Sequence, residues 1–184
     1  VESGGGAVLG CPGGRCRARR PAYQVPDRKE ILMPVIEAER IIPAPPDTAY
    51  AAAKEVERFP EFMPNVQTVE IVERAGSSTV SRWVGRVEEF NRTIKWTEQD
   101  QWDDAARACT FRATDGDWSK YEGLWTFEQH PDGTRVYLKL DFEFDVPLIG
   151  PLIKGLLAKL VKRNSEEMLE GLARLVAAGN SSAK

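Results

Sequence analysis

One histidine, three cysteines and no apolar run long enough to span a bilayer set the first limits on this chain of 184 residues. A lone His130 cannot build a multi-histidine metal site, and in a Ser/His/Asp arrangement it would have to be the only base in the molecule. Zinc chemistry and triad hydrolysis are therefore not expected, and neither is a bound cofactor. Cys11 and Cys16 sit in a Gly/Pro/Arg-rich stretch and Cys109 stands alone. No second Cys/His pair completes a metal site, and no disulfide framework follows from this spacing. The only short apolar run near the start is Ala7, Val8 and Leu9, too little for a signal-peptide core. A cytoplasmic protein is expected. An excess of basic charge is also missing, since the net charge is −3.

Residues 1–32 combine six Lys/Arg and three Asp/Glu with two Gly/Pro clusters and no apolar period, the pattern of a disordered leader. Lys29-Glu30 followed shortly by Met33 is what a ribosome-binding sequence would encode if translated. The expectation is that the native chain begins at Met33. Residues 33–184 then hold 19 basic and 25 acidic side chains. An acidic surface argues against DNA as a partner, because non-specific binding depends on neutralising phosphates.

The folded part is expected over 33–178, with a tail at 179–184. Val35–Ile42 is β-rich and stops at Pro43, Pro45 and Pro46. A short helix follows, because Pro46 suits a first turn and the alanines after it favour a helix. A second helical piece over Val56–Phe62 carries Phe59, Phe62 and Met63 between prolines, read as a plug for one end of the core.

Six strand-like stretches then run from Val66 to Val146, separated by short turn signals, which predicts an antiparallel meander. The last has the clearest alternation, with Val136, Leu138, Leu140, Phe142 and Phe144 on one face and Lys139 on the other. Its predecessor aligns Tyr121, Gly123, Trp125 and Phe127. Earlier strands contribute Trp83, Gly85 and Val87, then Ile94 and Trp96. An aromatic inner face thus recurs across the sheet. Asp103-Asp104, Asp115-Gly116-Asp117 and His130-Pro131-Asp132-Gly133 fall at hairpin turns and are read as turn chemistry.

After Pro151 the pattern predicts a long amphipathic helix over Leu152–Ala178, ended by Gly179-Asn180, with Ile153, Leu156, Leu160, Met168, Leu172 and Leu175 on one stripe. Asn164 falls near that stripe and needs a partner there, either a sheet residue or a ligand. The fold class expected is α+β: a seven-stranded curved antiparallel sheet wrapped around a long C-terminal helix, with two short helices after strand 1.

The stretch PAPPDTAYAAAKEVERFPEFMPNV, the later YEGLWTF, the strand TRVYLKLDFEF and the terminal helix resemble the polyketide cyclase/dehydrase family of the START and Bet v 1-like helix-grip superfamily. Among its branches the resemblance is to coenzyme Q-binding START-domain proteins and bacterial relatives, including a ribosome-association toxin. It spans Met33–Ala178, and its local motifs are not catalytic, so it speaks to fold more than to activity. What it implies is a hydrophobic tunnel between sheet and helix, taking a lipid, an isoprenoid quinone or a polyketide-like molecule. The residues expected to line it are Trp83, Trp96, Phe111, Tyr121, Trp125, Leu140, Phe142, Leu156, Leu160, Asn164 and Met168. The same residues could instead fill a solid core.

Three functions compete. A carrier needs only apolar walls and a lid. An aromatase/cyclase would add polar groups that assist enolisation, for which Arg82, Arg86, Glu98, Arg112 and Tyr121 are candidates, several of them on outward-facing positions. Contact with a macromolecule, the ribosome or transiently an anionic membrane, would rest on Lys154, Lys159, Lys162 and Arg163, a pattern that a solvated helix face also explains.

Overall fold

The computed structural model describes residues 35–144 and 151–181, with side chains over 35–144 and 155–179; the leader and Lys154 of the basic cluster lie outside these. The elements run β1 (Ile36–Ile42), α1 (Pro46–Lys54), a 3-10 helix (Val56–Glu61), then β2 (Val66–Ala75), β3 (Ser78–Val87), β4 (Arg92–Asp103), β5 (Ala108–Gly116), β6 (Lys120–His130), β7 (Gly133–Glu143) and α2 (Pro151–Ser181). All seven strands are antiparallel neighbours in one sheet of order β1-β7-β6-β5-β4-β3-β2. β1 and β2 form opposite edges, so α1 and the 3-10 helix carry the chain from one side of the sheet to the other.

Turn chemistry closes the hairpins as expected. Asp103 Oδ1 accepts the backbone N–H groups of Ala105 and Ala106, and Asp104 accepts from Tyr50 Oη (2.9 Å) and Lys54 Nζ (2.7 Å) of α1. The N–H of Lys95 donates to Asp117, and that of Asp132 to His130 Nδ1. Asp103 and Asp117 thus serve their turns, whereas Asp104 ties its hairpin to α1.

The inner face of β7 is buried at Val136, Leu138, Leu140 and Phe142, and Lys139 is exposed, matching the alternation. α2 covers that concave face through Leu160, Leu169, Leu172, Leu175 and Val176. Two features of α2 differ from the expectation. It continues through Gly179 and Asn180 to Ser181, since one glycine lowers helix propensity without ending a helix. Leu156 is 42% exposed, and Leu157 packs inward in its place. A step of about 100° separates the two, and Leu160 lies at the edge of the stripe, so four residues back from it the chain has already turned to water.

The turn Val56–Pro64 does more than plug the core. Phe62 packs directly on α2, where a Cβ at Gly171 would overlap its ring. Phe59 and Met63 instead face an internal cavity.

Candidate functional site

Sheet and helix do not fill the space between them. They leave a partly open cavity of about 130 Å³ lined mainly by aromatic and aliphatic side chains, roughly the size that accepts a single benzene-sized ring. A second hollow of about 210 Å³ shares Val87, Ile94, Trp118 and Leu157 with it and reaches Phe90, Arg92 and Phe144. Phe90 is an exposed large apolar side chain at that outer end.

Of the residues expected to line a tunnel, Trp83, Trp96, Phe111, Tyr121, Trp125, Leu140, Leu160, Asn164 and Met168 surround the cavity. Phe142 does not: it is fully buried behind the wall, with its ring 6.1 Å from that of Trp118. Leu156 is outside for the reason given above. The structure brings in Phe59, Met63, Asn65, Arg86, Trp118, Ser165 and Glu167 as well.

Trp83 and Trp96 are opposite each other on β3 and β4 and stack with centroids 5.5 Å apart and planes 14° from parallel. Each indole donates its N–H along its own strand, Trp83 to Ser81 Oγ (2.8 Å) and Trp96 to Glu98 Oε2 (3.0 Å). Ser81 and Glu98 are themselves cross-strand partners, as are Thr79 and Asp100. All four are buried, so a polar island adjoins the aromatic wall. The register between β4 and β5 slips between Thr97 and Glu98, a bulge beside this island; such irregularities are common next to functional sites.

Burial pushes both carboxyls upward, with the neighbouring Asp100 charge adding to the effect on Glu98. Asp100 rises to about 7 and Glu98 well above the ordinary carboxylate range. The same desolvation, reinforced by these carboxyls, holds the Cys109 thiol and the Tyr121 phenol neutral.

The remaining candidates for acid/base work divide cleanly. Glu98 and Tyr121 face the cavity. Arg86 lines its margin and donates to Asn91 Oδ1 (3.0 Å). Arg82 is exposed beside Glu70, and Arg112 is exposed and bonded to Gln99. Asn164 finds its partner in the turn before β2, where Asn65 Nδ2 donates to its Oδ1 at 2.8 Å. In the basic cluster of α2, Arg163 is paired with Glu89 and Glu167, and Lys159 and Lys162 are exposed.

The sequence profile described as polyketide cyclase/dehydrase and lipid transport matches residues 42–169. The chain belongs to this family. The protein TTHA0849 of Thermus thermophilus shares 38% identity and superposes with a TM-score of 0.76, over 79% of this chain and 99% of that one. A Streptomyces cyaneus relative, provisionally named a polyketide cyclase, is 24% identical over 70% of this chain and 84% of its own. The Zhui aromatase/cyclase from Streptomyces sp. R1128 has the same fold, with a TM-score of 0.71 at 20% identity, covering 78% of this chain and 93% of that one. The family's START and Bet v 1-like helix-grip architecture is therefore the architecture of this chain. Among the described residues no helix is long and apolar enough to cross a membrane.

Proposed function

We propose that the protein binds or carries a hydrophobic small molecule, a lipid, an isoprenoid quinone or a polyketide-like compound, in the space between the sheet and α2. The observation that carries this reading is the unfilled, aromatic-walled cavity. Protein interiors normally close-pack, and an apolar void at the centre of the one layer interface is where a ligand replaces missing core. The stacked indoles and Tyr121 offer flat apolar area suited to a ring system or isoprenoid chain.

A polyketide aromatase/cyclase is the second reading, favoured by one observation, the buried Glu98–Asp100 pair, of which Glu98 faces the cavity. A neutral carboxylic acid beside a more acidic one divides the roles of proton donor and acceptor.

Native mass spectrometry with organic extraction, on protein purified without detergent, tests the carrier reading. A retained isoprenoid, fatty acid, quinone or polyketide supports it, and a clean apo mass that stays apo after incubation with such compounds counts against it. Turnover of an acyl-carrier-bound poly-β-keto substrate would favour the cyclase.

A further inference from the structure

Among the described residues three buried side-chain atoms lack a hydrogen-bond partner: Asp100 Oδ2 and the indole Nε1 atoms of Trp102 and Trp118. Asp100, 3% exposed, and Trp102 stand behind the cavity wall. The polar groups at the cavity itself are the carboxyl of Glu98, 7% exposed, and the unpartnered N–H of Trp118. Trp96 stands between them, its indole N–H on Glu98 and its ring 6.3 Å from that of Trp118. Leaving such groups unsatisfied costs about 1–3 kcal/mol each, which a bound polar group can recover.

We propose that Glu98 and the indole N–H of Trp118 are the polar recognition groups of the cavity, with Asp100 acting behind Glu98, and that they select uncharged ligands carrying carbonyl or hydroxyl oxygens and reject carboxylates such as free fatty acids. The proposal rests on the carrier reading and deepens it by naming the ligand chemistry.

The charge balance excludes the alternatives. Among the described residues no lysine, arginine or histidine pairs with Glu98 or Asp100. Two carboxyls side by side without a counter-charge hold a proton between them, and a third carboxylate would bring a further unpaired anion into the same apolar space. The groups around the pair do not relieve this. β3 presents Thr79 and Ser81, β5 presents Cys109 and β6 Tyr121; Glu167 comes from α2; Arg86 is engaged by Asn91, and Lys54 of α1 by Asp104. An ammonium group would suit the carboxyls yet offer no lone pair to the Trp118 N–H. A carbonyl oxygen accepts from that N–H, and a hydroxyl can also exchange hydrogen bonds with a half-protonated carboxyl pair.

The test is calorimetric titration of the full chain with four probes on one ring: benzene, acetophenone, benzoate and benzylammonium. The expected order places acetophenone first, with benzoate weaker by roughly tenfold or more and weaker still as the pH rises from 6 to 8. Trp118→Phe should lower acetophenone affinity several-fold and leave benzene unchanged. Glu98→Gln and Asp100→Asn should each narrow the gap between ketone and carboxylate and flatten its pH dependence. Benzoate binding as tightly as the ketone, the ammonium probe binding tightest, or a discrimination indifferent to Glu98→Gln would each overturn the proposal while leaving the carrier reading in place. Failure of benzene and acetophenone alike to bind would overturn both.

Discussion

Asn65 and Asn164 are 99 positions apart and joined by one hydrogen bond, from Nδ2 of the first to Oδ1 of the second at 2.8 Å, which fastens the turn before β2 to the middle of α2 at the cavity wall. Asn65 Nδ2 also lies 3.4 Å from Glu167 Oε2. Replacing Asn65 by alanine leaves the Asn164 carbonyl without its donor in a partly buried position. A loss of about 1 kcal/mol in urea-induced unfolding is expected, together with faster ligand release. Unchanged release rates would show that the bond holds the fold and not the cavity.

Asp100 ties stability to acidity. Its carboxyl is raised in the folded state, so the stabilisation it permits is complete at low pH, below its ordinary value, and is lost as the pH rises through about 7. Between pH 5 and pH 8 the protein should therefore lose stability. Asp100→Asn should remove much of that slope, on the order of 3 kcal/mol between pH 5 and pH 8, and so raise the melting temperature at pH 8. Thermal denaturation across this pH range checks the sign.

Trp125 and Lys139 come from adjacent strands and opposite faces. The first is a cavity wall, the second is exposed. Trp125→Ala should weaken binding of an apolar probe at least several-fold and cost about 3–5 kcal/mol of stability, whereas Lys139→Ala should do neither. Titration with the probe and urea unfolding of both variants measure this. Equal effects would mean that the ligand sits elsewhere.

Two glycines of α2 should respond with opposite signs. A Cβ at Gly155 meets open space, so Gly155→Ala should stabilise the helix by up to about 1 kcal/mol. A Cβ at Gly171 collides with the ring and backbone carbonyl of Phe62, so Gly171→Ala should destabilise by about 1–3 kcal/mol. Chemical denaturation of the pair separates intrinsic propensity from packing.

The sheet was legible because period-2 alternation and turn residues are local signals, and most boundaries fall within one or two residues of them. The alternation of β4 continues beyond Trp96 and puts Glu98, Asp100 and Trp102 inside as well; alternation alone does not show two buried carboxyls, because Glu98 finds its donor only in the Trp96 indole N–H of the folded strand. Trp118 gave no periodic signal, since it stands between β5 and β6 and acquires its neighbours Trp96, Tyr121, Phe142 and Phe144 only when four distant segments meet. The misplacement of Leu156 has a simpler origin: i and i+4 are neighbours on a helix without lying at the centre of the same face.

The pairing of Ile36 with Leu140 and of Ile42 with Thr134 joins the first strand to the last. A nascent chain emerging from the ribosome can assemble the meander hairpin by hairpin, but β1 must wait about a hundred residues for its partner, and α2 follows later still. Until then the stacked tryptophans and the buried carboxyls stand open to water, a surface prone to association. An apolar ligand present during synthesis would cover that surface before the helix arrives, so the yield of folded protein should depend on the compounds the producing cell contains.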